Sequence, residues 1–347
     1  MQSILVDCGN SNIKAQLLNQ QGQIVETLVM PSLISKRFSE FILGGFVKST
    51  KEGSESVVVG FDNEGRSDCL NMAENDNGKL EFLHYLLAGV VSAFEPHLRK
   101  DAEVNWFVLT LNPDKRRLIQ DAITYASSLV IDGKPLKLKS VLANCFPEGG
   151  GAAFYAASTY STYNRVAVLD CGFGTCNLST YSTTGDFPRR ASFRFVSAGV
   201  SKLFNVVSEL LSNDTSNGRV DERLISVAIT TNTNRYYSDY SGRDITNFVG
   251  TAAEYWLNDV KLKPLIIEVI RLLSSGVPVV AVGGGMMIKT LREAIELVVL
   301  ANVPDANLWR VPDNAHIIGV AGLGELASKP KQSNVVTLVP ESIAQAN

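Results

Sequence analysis

The sequence predicts an α/β fold of two duplicated lobes facing each other across a cleft. A unit made of a strand, an aspartate, a turn and a second strand occurs twice with matched spacing, around Asp7 and around Asp170. Each copy is followed, after unrelated sequence, by an apolar strand that runs into a helix. A chain of 347 residues suits about two domains, and 45% hydrophobic with 19% charged residues is the balance of a folded globular protein.

In the first copy, Ile4-Leu5-Val6 forms a short apolar strand ending in Asp7-Cys8-Gly9, and a polar turn through Asn10-Ser11-Asn12 leads to a strand from Ile13 to Leu18. A turn carrying Gly22 then leads to a third strand, Ile24 to Val29. In the second copy, Val166 to Leu169 precedes Asp170-Cys171-Gly172, with a turn through Gly174-Thr175, a strand from Asn177 to Tyr181 and a turn at Gly185. Gly22 follows Asp7, and Gly185 follows Asp170, by the same fifteen residues. Further on, Val104 to Leu109 leads through Asn112-Pro113-Asp114 into a helix expected to reach about Leu129. Its counterpart, Val277 to Val282, leads through Gly283-Gly284-Gly285 into a helix from about Met287 to Leu300. Each lobe is expected to be a mixed sheet with helices on its faces.

These limits divide the chain into a first lobe over 1–160, with an insert over about 31–95, and a second lobe over 161–314, with an insert over about 203–273. The first insert carries a strand at Val57-Val58-Val59 and a helix across Lys79 to Phe94; the second is helical, with a tyrosine-rich segment near Tyr236 to Tyr240. A helix over 315–327 is expected to complete the first lobe, and 328–347 reads as a flexible tail.

A net charge of −3 and a pI near 5.8 give no global basic field for nucleic acid or an anionic membrane, so neither is expected as a direct partner. The cluster Asp114-Lys115-Arg116-Arg117 reads as a solvated helix start. The N-terminus lacks a basic leader followed by an apolar stretch, and no run of about 18 apolar residues occurs, which predicts a cytoplasmic protein. Five cysteines without C-x-x-C spacing read as reduced, buried thiols, and three scattered histidines do not suggest a metal site.

The chemistry is expected at the two aspartate turns. Each carboxylate sits at the end of a buried strand, followed by backbone that glycine lets approach a ligand: Gly9, Asn10, Ser11 and Asn12 in the first copy, Gly172, Phe173, Gly174 and Thr175 in the second. Turn N–H groups bind anionic oxygens, and Asp7 and Asp170 beside them suit Mg²⁺ held through water. Lys14 reaches phosphate as a point charge. One Asp-x-Gly is an ordinary turn; two at matched positions in a duplicated chain favour a site. Gly283, Gly284 and Gly285 between strand and helix offer a helix N-terminus to a phosphate or ribose edge. Met286 and Met287 suit either an adenine face or the core. Neither a dinucleotide fingerprint nor a Walker motif occurs. Glu148, between Pro147 and the run Gly149-Gly150-Gly151, either orients and deprotonates an attacking water or sits as an acid near a helix start.

Taken together, these segments resemble the actin, hexokinase and heat-shock chaperone superfamily over residues 3 to 326, and most closely the ParM-like bacterial actins that segregate plasmids. Asp7 to Lys14 resembles the first phosphate loop, Pro147-Glu148 the first connecting helix, Leu169 to Thr175 the second phosphate loop, Val282 to Gly285 the adenosine motif and Ala315 to Gly324 the second connecting helix. Ser197-Ala198-Gly199-Val200 resembles the stretch that follows the second loop. The resemblance implies two ribonuclease-H-like (actin-like ATPase) lobes, binding of ATP or GTP with Mg²⁺, polymerisation into filaments, and hydrolysis that destabilises them. It further implies Asp7, Asp170 and Glu148 as the catalytic set and a DNA-binding adaptor as partner. Asn177, where an aspartate is common, and the three glycines after Glu148 depart from the pattern. Asp7 to Ile13 also resembles the opening of certain pantothenate kinases, which makes a small-molecule kinase the alternative; its substrate base has no candidate besides Asp170.

Overall fold

The computed structural model describes residues 1–37, 45–50, 53–64, 68–72, 79–110, 113–185, 187–214, 220–237 and 242–327. The expected tail over 328–347, Leu111 and Asn112 of the expected helix start, and most of the tyrosine-rich segment lie outside the described residues.

The chain opens with an antiparallel meander, β1 (Gln2–Cys8), β2 (Asn12–Leu18) and β3 (Ile24–Pro31), whose second turn is made where Gly22 takes φ +78°. An inserted region follows: β4 (Leu33–Arg37), β5 (Gly45–Thr50), β6 (Gly53–Val59), the short β7 (Leu70–Asn71) and α1 (Leu83–Phe94). Then come β8 (Glu103–Thr110), α2 (Arg116–Ala126), the hairpin β9 (Ser128–Ile131) and β10 (Lys134–Lys137), β11 (Lys139–Pro147) and α3 (Gly150–Thr159). The first main sheet has the order β11-β8-β1-β2-β3, with β1, β8 and β11 parallel. Ile4, Leu5 and Val6 of β1 are all fully buried, as expected of a central strand covered on both faces.

The second half repeats the plan with β12 (Arg165–Cys171), β13 (Cys176–Ser182), β14 (Arg189–Val196), the helices α4 (Ser201–Asp214) and α5 (Glu222–Thr230), a small ribbon β15 (Arg235–Tyr236) with β16 (Arg243–Asp244), then α6 (Thr246–Leu257) and α7 (Lys263–Ser274). It continues with β17 (Val279–Val282), α8 (Lys289–Leu300), β18 (Trp309–Arg310) and α9 (Ile318–Ala327). Its sheet has the order β14-β13-β12-β17-β18, the same arrangement of meander and parallel strands.

Three elements differ from the sequence reading. The helix expected to reach Leu129 ends at Ala126, and Leu129 lies in β9. The Asp132-Gly133 pair carries the chain back with φ +48° and +74°, the conformation a two-residue hairpin turn requires. This hairpin joins the inserted strands through Val47 and Val130, giving a six-stranded sheet β10-β9-β5-β6-β4-β7, so residues well past 95 complete that sheet. α1 begins at Leu83, which leaves Lys79 in the turn before it. The glycines at 283–285 do not enter an α-helix: Gly284–Met287 is a single 3-10 turn, and Ile288 is extended before α8 starts.

The two connecting helices exchange partners. α3 leaves the first sheet, yet Ala152, Ala153 and Ala156 pack on Val166, Val168, Val280 and Val282 of the second. α9 leaves the second sheet, and its Val320 and Leu323 pack on Leu5, Leu18 and Leu109 of the first. The helices cross backbone to backbone. A Cβ on Gly151 would stand 1.7 Å from the Gly319 carbonyl oxygen, and one on Gly322 would stand 1.9 Å from that of Gly151. No side chain fits at this crossing without separating the helices. Gly151→Ala is expected to lower stability by about 1–3 kcal/mol or more in urea unfolding, the usual cost of overpacking. Gly250→Ala, in α6 with nothing within 4 Å of the added methyl group, is expected to raise it by roughly 0.5–1 kcal/mol.

Candidate active site

The antiparallel register sets the first half of the site. Asp7 on β1 stands opposite Lys14 on β2, and Lys14 Nζ lies 3.9 Å from Asp7 Oδ2. The second sheet places Asp170 opposite Asn177 in the same way. Thus one half opposes its carboxylate with an ammonium and the other with an amide. Asn177 is buried, and its Oδ1 has no hydrogen-bond partner among the described residues.

The first loop is tied to the start of the inserted region: Ser32 Oγ donates to the Gly9 carbonyl at 2.7 Å, and the Ser32 N–H donates to the Ser11 carbonyl at 2.9 Å. Gly9 itself is required, since an added Cβ would stand 2.7 Å from the Asn12 oxygen. The second loop is held by the segment after β14. Val200, Ser201 and Gly199 donate their N–H groups to the carbonyls of Gly172, Phe173 and Gly174 at 3.1, 2.8 and 3.2 Å. The Gly172 N–H donates to the Thr175 carbonyl at 2.9 Å, while the Phe173 and Gly174 N–H groups make no backbone hydrogen bond among the described residues and suit an anion. A Cβ on Gly199 would fall 2.2 Å from the Phe173 oxygen, and Trp256 Nε1 donates to the Ala198 and Gly199 carbonyls from behind at 3.1 Å each. This is the physical role of the Ser197-to-Val200 stretch.

The glycine turn packs on the second aspartate. Gly283, at φ +95°, leaves room for a Cβ only 2.4 Å from Asp170 Oδ1, and one on Gly285 would stand 2.9 Å from the Cys171 carbonyl oxygen. Gly284 is exposed and open. Close approach to Asp170 and Cys171, rather than entry into a helix, accounts for glycine at 283 and 285. Met286 is 1% exposed and packs within the second half's core, while Met287 beside it is partly exposed.

Glu148 sits where β11 turns into α3. Its N–H donates to the Thr110 carbonyl at 3.1 Å, and Gly149 takes φ +81° to start the helix. The Glu148 carboxylate accepts a 2.5 Å hydrogen bond from Lys79 Nζ. Lys79, which the sequence places at the start of a helix with no sign of a role in the site, lies in the turn before α1 and is 8% exposed. His316 lies in the turn before α9. Burial, with the charge of Lys14, holds it below the usual histidine range, so it is neutral near pH 7.

The four charged groups act together on Asp170. Burial pushes its carboxyl up to about 6, Asp7 and Glu148 add to the rise, and Lys14 and Lys79 oppose it. Charges from both sheets and from the inserted region therefore meet at one place. Burial likewise pushes the Cys8 thiol up to about 12, which makes it a packing residue rather than a nucleophile.

Among the described residues no group of three or more His, Cys, Asp or Glu is arranged to hold a metal ion. Two separate carboxylates beside glycine loops fit a hard cation that keeps much of its water and leans on ligand oxygens, which is the behaviour of Mg²⁺. No described helix is long and apolar enough to cross a membrane.

No protein-family model matches the sequence, and no curated protein matches it. Solved structures do. A 15-stranded ParM filament from Clostridium botulinum superposes with TM-score 0.69 at 14% identity, covering 94% of this chain and 98% of that one. An archaeal actin homologue, Ta0583, gives 0.67 at 16% identity over 94% and 99%. Bacillus thuringiensis ParM with ATP gives 0.65 at 14% identity over 94% and 99%. The chain has the α/β, ribonuclease-H-like fold of the actin and ParM structures.

The raised Asp170 carboxyl has a measurable consequence. A carboxyl bound more tightly to its proton in the folded state favours folding below about pH 4, and that contribution is lost as pH rises through about 6. Asp170→Asn carries no such dependence. Its stability advantage over the wild type, measured by urea unfolding, is expected to grow by roughly 2–3 kcal/mol between pH 4 and pH 7 and then level off; a constant difference would show that the carboxyl titrates normally.

Proposed function

We propose that this protein is an actin-like ATPase that binds Mg-ATP between its two halves, assembles into filaments and hydrolyses the nucleotide. The observation that carries this reading is the meeting of Asp7, Lys14, Glu148 and Asp170, drawn from two sheets of identical plan, at one electrostatic centre. The likeness to ParM with ATP and to a ParM filament supports both the nucleotide and the self-association.

In this reading the loops at Gly9 to Asn12 and Gly172 to Thr175 hold the polyphosphate through backbone N–H groups, and Lys14 offsets its charge. Asp7 and Asp170 would hold Mg²⁺, which would neutralise charge on the phosphate oxygens. The glycine turn at 283–285 lies beside the nucleoside, with Gly284 exposed toward it. Glu148 orients the attacking water and accepts its proton as the water oxygen bonds to the terminal phosphorus and the diphosphate oxygen leaves. The chain's acidic balance suits segregation of plasmid DNA through a separate DNA-binding adaptor rather than by direct contact.

Adding Mg-ATP to purified protein is expected to raise right-angle light scattering, which then decays as phosphate appears. Transfer of phosphate to a metabolite without scattering would instead establish the kinase alternative. Glu148→Gln is expected to bind ATP within a few-fold of the wild type while hydrolysing it about 10²-fold more slowly; undiminished turnover would remove Glu148 from the reaction.

A further inference from the structure

Lys79 enters the site from an unexpected direction. It belongs to neither phosphate loop but to the inserted region, in the turn that precedes α1. Its side chain is 10% exposed, and among the described residues its ammonium makes one hydrogen bond, to Glu148 Oε1 at 2.5 Å. An ammonium carries three donors, and a buried donor without a partner is costly. Burial by itself would lower the lysine pKa, yet the carboxylates of Glu148 and Asp7 outweigh it and hold Lys79 above the usual range, fully charged. Among the described residues, the structure thus keeps a buried cation with two of its three donors unpaired beside the acid assigned to the attacking water.

We infer that Lys79 is a phosphate-binding residue, its ammonium shared between the Glu148 carboxylate and the terminal phosphate of a bound nucleoside triphosphate. This rests on the ATPase reading. The geometry of the pair selects the terminal phosphate. A base that activates water for attack on that phosphorus lies within one water of it, and Lys79 is hydrogen-bonded to that same base. Lys14, paired with Asp7 at the start of the first loop, serves the inner phosphates. Lys79 therefore distinguishes a triphosphate from a diphosphate. Because it is carried by the inserted sheet's connection to α1, it also ties that region to the nucleotide's state.

Isothermal titration with the Mg complexes of a non-hydrolysable ATP analogue and of ADP tests this on four full-length proteins: wild type, Lys79→Arg, Lys79→Met, and Lys79→Met combined with Glu148→Gln. The combined variant removes both charges, so neither is stranded in a buried site. Both Met variants are expected to lose about tenfold or more in affinity for the triphosphate analogue, as for a lost hydrogen bond between charged groups, while ADP binding stays within about twofold; Lys79→Arg is expected to retain most of the triphosphate affinity. Retained ADP binding also reports that each variant is folded. Equal losses for both nucleotides, or an unchanged preference, would overturn the assignment of Lys79 and leave the ATPase reading standing. Wild-type protein that binds neither nucleotide would overturn that reading, and this assignment with it.

Discussion

The structure depends on one contact, the crossing of α3 and α9 at Gly151, Gly319 and Gly322. There the backbones approach so closely that an added methyl group would lie inside van der Waals distance of a carbonyl oxygen. Each helix packs against the sheet of the other half rather than the one its own chain segment has just left. Glu148 precedes one of these helices and His316 the other, so the crossing brings the ends of both sheets to a common place. A fold made of two similar sheets has no other reason to bring Asp7 and Asp170 within electrostatic range of each other. The crossing supplies that reason through packing between backbones, which depends on the absence of side chains.

Around that centre the charge balance is narrow. Three carboxylates, Asp7, Glu148 and Asp170, face two ammonium groups, Lys14 and Lys79. Burial raises Asp170, while each lysine has a carboxylate partner, at 3.9 Å for Lys14 and 2.5 Å for Lys79. Buried ion pairs are a weak source of stability because desolvation offsets much of their attraction. Their value here lies in holding charges at defined positions. The two halves also differ in detail: the ammonium of Lys14 stands where the second half has the amide of Asn177. A duplicated frame thus carries a non-equivalent pair of loops, one cationic and one neutral.

Much of this was legible before the structure. The equal spacing from Asp7 to Gly22 and from Asp170 to Gly185 exposed the duplication, because a hairpin meander fixes the distance from strand end to turn. Other readings failed for local reasons. Helical periodicity was extended past Ala126 although Asp132-Gly133 marked a hairpin. The glycines at 283–285 read in sequence as a helix entrance, whereas the close approach of Asp170 and Cys171 explains two of them. Met286, for which the sequence allows either an adenine face or the core, packs in the core. Nothing in the residues around Lys79 distinguishes it from an ordinary helix-start lysine, and only the packing of the inserted region buries it against Glu148.

The sequence by itself determined the class of the fold, the twofold plan and the identity of the charged groups at the strand ends. These are properties of hydrophobic period, turn chemistry and residue type, all written locally along the chain. Tertiary structure decided which charges share one site, which glycines are irreplaceable, and that a lysine from an inserted segment meets an acid 69 residues further on. Such outcomes depend on desolvation and on approach between segments remote in sequence, and a chain read residue by residue carries no measure of either.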